Sequence, residues 1–297
     1  MKLRFAVLFL SLSLLTACSP SAPESEIGSP DTGRPADVAL ALDPAPAYLA
    51  CRIIDGAEDG NLLLAELDTP LDHEQGLHDG KGVYRLTVGD IPVTLDGQPA
   101  AAGDLRDGMA VEITFGGTIL ESFPGQLGEV SSLAAFSPAG GALTDLCGLY
   151  LQVLDDLWEK DSALNENISL AALDLSGAPG GLLDSEKSAL AWRFGEKHGV
   201  EVLETSYGDL LEQGYLTAVS YPSSEKYPTA YQWEDGCLFS IEANTAHQDE
   251  IYSLPVLFFN AEKWRTPLAA YIFYDCSALW PEFGSWSSYT VGSEMIS

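Results

Sequence analysis

LYLQVLDDLWEKDSALNENISLAALDL, residues 149–175, marks the point where the chain changes texture. In its first dozen positions Leu149, Tyr150, Val153, Leu154, Leu157 and Trp158 recur on one face of a helix. Ile168 to Leu175 then reads as a strand. Downstream, Asp184 is suited to cap a helix that turns Leu190, Ala191 and Phe194 inward and stops at Gly199, with Lys197 and His198 in its last turn. Val200 to Leu203 reads as a strand, and Tyr207 to Gln213 as a short helix ended by Gly214. CLFSIEA (237–243), SLPVLFF (253–259), AAYIFYD (269–275) and SYTVGS (288–293) then predict an antiparallel sheet. Residues 149–297 are thus expected to form an α+β domain, helices first and strands after.

Towards the N-terminus the texture is short β-rich runs: YLACRII (48–54), NLLLAEL (61–67), VYRLTV (83–88), IPVTL (91–95), MAVEITF (109–115) and TILESF (118–123). Asp55-Gly56, Asp59-Gly60-Asn61, Gly89-Asp90, Asp96-Gly97 and Asp107-Gly108 punctuate them with residues that tolerate positive φ. So many short strands hide their edges most simply in a small closed or partly open β-barrel, which predicts a β-rich domain over 47–136. The small-residue stretch SSLAAFSPAGGALTD (131–145) leads out of it, with a linker placed at 137–148.

Within that region, LRDGMAVEITFGGTILESFPGQL (105–127) resembles the end of an OB-like domain of unknown function found in exported lipoproteins of Gram-positive bacteria. The matching residues are Ile119, Glu121, Ser122, Pro124, Gln126 and Leu127. The resemblance implies an OB-like fold for about a third of the chain and carries no established activity.

The first eighteen residues, MKLRFAVLFLSLSLLTAC, place Lys2 and Arg4 before an uncharged run, Phe5 to Leu15, too short for the ~20 residues of a spanning helix. Leu15-Thr16-Ala17-Cys18 resembles the lipobox of bacterial lipoproteins, which implies lipidation of Cys18 and a protein anchored on the extracytoplasmic side of the cell membrane. Residues 19–46, rich in Ser, Pro, Ala and Asp, read as a disordered tether.

The 297 residues carry 14 Lys+Arg against 44 Asp+Glu, a formal net charge of −30. Phosphate backbones are held by clustered Lys and Arg, so this balance excludes an electrostatic nucleic-acid binder. The acids are spread along the chain, a surface property that favours solubility and mutual repulsion. A ligand should therefore be neutral or locally cationic.

Besides Cys18 there are Cys51, Cys147, Cys237 and Cys276, which permit three pairings. Export allows disulfides, and Cys51 with Cys147 and Cys237 with Cys276 is the simplest set. Buried thiols would also suit Cys51 and Cys237, which lie in apolar runs. No C-x-x-C, H-E-x-x-H, phosphate-binding loop, dinucleotide turn or G-x-S-x-G elbow occurs, so neither a metal nor a cofactor is implied.

Three polar constellations have simpler explanations. Asp55, Asp59, Gly60, Leu62 and Glu66 fall on a calcium-loop template, but Ala57 occupies a ligand position and the flanks look like strands. His73 and His78 lie among carboxylates in a Gly-containing loop with no second element to complete a site. Ser223 and Lys226 keep an S-x-x-K spacing between two prolines, without companion motifs.

The aromatic residues are asymmetric: residues 149–297 hold all six Trp and ten of twelve Tyr. Tyr227, Tyr231, Trp233, Trp280 and Trp286 cluster in turn-like sequence beside strands, where rings with polar tips can present a contact surface for sugar rings or a protein partner. The same rings could instead fill the core. Taken together, the sequence points to a lipid-anchored surface protein that binds an extracellular glycan or protein ligand without catalysis. The alternative is a glycan- or wall-acting hydrolase with paired carboxylates, one of raised pKa.

Overall fold

The computed structural model describes residues 46–67, 81–138, 145–220, 229–247, 256–279 and 289–297. Cys18, the tether up to residue 45, His73, His78, Ser223, Lys226, Tyr227, Trp280 and Trp286 lie outside the described residues.

The first half forms nine strands: β1 (Ala47–Asp55), β2 (Asn61–Glu66), β3 (Val83–Thr87), β4 (Val93–Leu95), β5 (Gln98–Ala100), β6 (Ala110–Phe115), β7 (Ile119–Leu120), β8 (Gly125–Leu127) and β9 (Val130–Phe136). They make one sheet in the order β5-β4-β9-β6-β1-β2-β3-β8-β7. The sheet is open, with β5 and β7 at its edges, and the expected barrel does not close. Burial supplies the reason. Leu62 and Leu64 of β2 point into the sheet's own core, while Leu63 and Ala65 point the other way, under helices. A sheet buried on both faces produces the unbroken apolar run of β2, and its outer face is covered by helices without wrapping onto itself. Residues 130–136, which run into the stretch read as leading out and close the expected 47–136 domain, form an interior strand between β4 and β6.

The turn at 55–61 joins β1 to β2, with Gly56 and Gly60 at φ 89° and 74°. Asp59 Oδ1 accepts from the Asn61 N–H at 2.9 Å. Glu66 turns inward, its Oε2 accepting from Tyr84 Oη at 3.0 Å. These residues build the β1–β2 hairpin.

The second half contributes helices α1 (Leu146–Glu159), α2 (Asp184–His198) and α3 (Tyr207–Glu212). Its strands are β10 (Leu170–Asp174), β11 (Glu201–Glu204), β12 (Thr217–Ser220), β13 (Thr229–Gln232), β14 (Gly236–Ala243), β15 (Val256–Thr266), β16 (Ala269–Leu279) and β17 (Ser293–Ile296). Six of them form a sheet in the order β11-β10-β14-β15-β16-β17, and β12 pairs with β13 in a separate hairpin. The fold is α+β, mostly sheet. The sheet itself is mixed: β14 to β17 pair antiparallel as expected, but β10 runs parallel to both β11 and β14. Helix α2 lies between β10 and β11 in sequence, and a helical crossover returns the chain in the same direction.

Helices α1 and α2 cover one face of this sheet. Leu149, Tyr150, Val153, Leu154 and Leu157 of α1 and Leu190 and Phe194 of α2 share one core with Phe239, Phe259 and Phe273, and Ile54, Leu63 and Val83 of the first sheet join it. Asp145 caps α1, its Oδ1 accepting from the Gly148 N–H at 2.8 Å. At the other end, the buried Lys263 donates to the carbonyls of Leu157, Trp158 and Lys160, satisfying acceptors that a helix C-terminus leaves open. Helix α2 ends at Gly199, φ 66°, and starts one residue earlier than its capping expectation, with Leu183 at the N-cap position. Its buried polar start docks on the first sheet: Ser185 Oγ donates to the Glu66 carbonyl at 2.6 Å, and Glu186 pairs with Arg52 at 2.6 Å. Asp43–Ser297 form one compact unit.

Candidate functional site

The face of the mixed sheet away from α1 and α2 is only partly covered. Strand alternation decides which side chains it carries. On β15, Phe259, Ala261 and Lys263 are buried against the helices, whereas Asn260, Glu262 and Trp264 alternate with them on the other side. On β14, Ser240 and Glu242 share that second face. Register places Ser240 opposite Glu262 and Glu242 opposite Asn260, so the two glutamates are diagonal neighbours.

Helix α3 and the β12–β13 hairpin cover one end of this face, where Leu210, Leu216 and Trp233 pack on Ala172 and Leu238. Beyond them the surface opens into two neighbouring cavities of about 360 and 350 Å³ that share Asp174 and Ser176. The first is lined by Leu175, Lys187, Glu204, Thr205, Ser206 and Asp209 among others, the second by Tyr207, Ser240, Glu242, Glu262 and Trp264. Both lie where β10, β11 and β14 end. The chain leaves β10 for β11 on one side and reaches β14 on the other, and such a switch point opens a crevice at the carboxyl ends of parallel strands.

Local hydrogen bonds fix the polar groups. Asp174 Oδ1 accepts from Ser176 Oγ at 2.6 Å and from its N–H at 3.1 Å. Ser206 caps α3, its Oγ donating to Asp209 Oδ2 at 2.7 Å. Tyr207, 39% exposed, meets Trp264 edge to face at 5.1 Å between ring centres. Burial, and then the nearby Glu242 carboxylate, raise the Glu262 carboxyl above the usual range. Burial likewise raises Glu204, opposed by the hydroxyl of Ser188.

A second acidic cavity of about 410 Å³ is lined by Asp55, Asp107, Asp145, Asp155, Asp156, Arg193 and Lys197. Much of its charge is paired: Arg193 with Asp55 at 2.6 Å, Lys197 and His198 with Asp155 at 2.5 and 2.8 Å. Burial pushes Asp145 up to about 6 and also raises Asp107. Burial opposes ionisation of Asp155, yet hydrogen bonds from His198 and Lys197 hold it below its usual value. This cavity is a joint that ties α1 and α2 to the first sheet. Where that sheet fails to close, a hollow of about 400 Å³ lies between Leu62, Leu86, Ile91, Leu127 and Val130, with no aromatic ring in its lining.

Of the expected aromatic platform, Tyr231 and Trp233 lie among the described residues. Trp233 is fully buried against Leu210 and Leu216, a core residue with no face to offer a ligand. Tyr231 is half-buried and sits close enough to Tyr207 to raise its hydroxyl further after burial has done so. The disulfide set does not form. Cys147, Cys237 and Cys276 are free thiols, raised by burial in every case. Cys276 lies opposite Phe259 and Phe259 opposite Ala243, six positions along β14 from Cys237, roughly 20 Å at the rise of a strand and far beyond disulfide reach. Cys51 and Cys147 belong to different cores on opposite faces of the first sheet.

Sequence reading missed Asp174, Tyr207, Glu242, Glu262 and Trp264 as site residues. The available signal was the strand–helix–strand order over 168–203, which implies a parallel pair and hence a crevice at its carboxyl end. Compared with known proteins, the chain matches no family model, no curated protein and no solved structure. No helix among the described residues is long and apolar enough to cross a membrane.

Proposed function

We propose that the chain is an exported, lipid-anchored bacterial surface protein that binds a neutral, hydroxyl-rich glycan in the crevice at the ends of β10, β11 and β14. The anchor rests on the lipobox ending at Cys18, and the resemblance of residues 105–127 to an OB-like lipoprotein domain agrees with that setting. The observation that carries the binding reading is the meeting of two ring faces with many hydroxyl-binding groups. Asp174, Asp209, Glu242 and Glu262 accept hydroxyl protons, Ser176, Thr205, Ser206 and Ser240 both donate and accept, and Tyr207 and Trp264 offer rings to the C–H faces of a sugar. Among the described residues Lys187 is the single cation lining either cavity, so an anionic ligand is repelled. Pull-down of the full-length protein on insoluble wall glycan tests the reading: Trp264→Ala should lower retention about tenfold, and retention equal to wild type would refute it. Cys18→Ser should abolish incorporation of labelled palmitate.

Hydrolysis of that glycan is the second reading, favoured by one pair. Glu262, whose carboxyl is raised above the usual range by burial and then by Glu242, is placed for the role of a general acid, and Glu242 lies diagonally across from it as the companion carboxylate. Release of reducing ends, abolished in Glu262→Gln with binding retained, would establish it. Glycan bound but never cleaved leaves the binding reading alone.

A further inference from the structure

The largest of the described cavities, about 480 Å³, meets that crevice at Glu204 and runs beside the outer edge of β11. Ala191, Trp192 and Gly195 of α2 form one wall, Val200 and Val202 the floor, and Phe123 reaches over from the turn between β7 and β8. Phe123 is 63% exposed, a large ring held out from the sheet. The turn that holds it is the Glu121-Ser122-Phe123-Pro124 segment of the OB-like resemblance, braced by Ser122 Oγ donating to the Pro124 carbonyl at 2.8 Å. Gly125 closes the turn, and a Cβ there would come within 3.1 Å of the Tyr84 ring.

Strand β11 is an edge strand, paired with β10 alone among the described residues. The N–H of Thr205, next along the chain, donates to the Leu173 carbonyl of β10 at 3.2 Å. Backbone groups alternate in direction along a strand, so those of Leu203 and Glu201 face β10 and those of Val202 and Glu204 face outward. An outward row of donors and acceptors is a template for another extended chain. The exposed Glu201 stands at this edge on the face opposite Val202 and Glu204, where Glu204 already accepts from Ser188 Oγ at 2.9 Å.

We propose that this edge and groove bind an extended cationic peptide segment, which adds as a strand beside β11, places an apolar side chain between Phe123 and Trp192, and sets Lys or Arg on the opposite face against Glu201. Charge selects this occupant. A second copy of a chain with net charge −30 is repelled, and an acidic or neutral segment gains nothing from Glu201. The groove is a different surface from the glycan crevice, although Glu204 borders both.

The test is fluorescence anisotropy with the full-length protein in detergent and a fluorescein-labelled Lys-Val-Lys-Val-Lys-Val peptide. Saturable binding is expected, weakened by salt. A peptide N-methylated at alternate residues should bind at least about tenfold more weakly, because its donors to β11 are blocked, and a Glu-Val repeat should not bind. Phe123→Ala and Glu201→Lys, both exposed changes, should each weaken binding about fivefold or more. Absence of saturable binding, equal binding of the N-methylated peptide, or wild-type affinity in both variants would overturn the proposal.

Discussion

Strand β15 holds two environments one residue apart. Lys263 and Phe259 face the helices and are fully buried, whereas Glu262 and Trp264 face the crevice and keep contact with solvent. On the dry side polarity survives only where every group is matched, as the Lys263 ammonium is by three carbonyls at the end of α1. On the other side carboxylates and hydroxyls stand together without such closure. The pleat sorts one continuous sequence into a structural side and a binding side.

That contrast breaks if the two faces respond alike to substitution. Phe259→Ala should cost about 3–5 kcal/mol in urea unfolding, since it empties a buried ring position against Tyr150. Lys263→Met should cost about 2–4 kcal/mol by leaving the α1 carbonyls unmatched in the core.

Asp145 sharpens the contrast through pH. Its unfolded carboxyl titrates near ~3.9, whereas burial lifts the folded one to about 6. The raised group contributes stability that is complete below about pH 4 and is lost as pH rises through about 6. Asp145→Asn keeps an acceptor for the Gly148 N–H and removes the titration. The wild-type stability relative to this variant should therefore fall by roughly 2–3 kcal/mol between pH 4 and 7, read from unfolding curves across that range. The smallest effect belongs to the binding side: Glu262→Gln should leave unfolding within about 0.5 kcal/mol of wild type while changing what the crevice does.

Much of the fold is legible in the sequence because local rules decide it. The apolar face of α1, the Gly199 stop of α2 and the Gly214 end of α3 need no tertiary information. Strand direction is different: β10 reads as a strand, but the partners that make it parallel on both sides come from residues 201–204 and 236–240. The open edge of the first sheet depends on Leu63 and Ala65 meeting helices far along the chain, which no local pattern records. Trp233 shows the same limit at the level of one residue. Its turn-like, Tyr-rich surroundings favour exposure, and its burial follows from α3 and the hairpin closing over it. Trp264 lies beyond the run read as a strand, 253–259, and reaches the crevice because β15 continues to Thr266.

The most direct measurement is hydrogen exchange of the full-length protein with and without chitohexaose, a neutral, aromatic-stacking glycan. The account predicts added protection confined to residues 174–177, 204–210, 240–242 and 260–264, and its loss in Trp264→Ala. Protection located elsewhere, or none at saturating sugar, would contradict it.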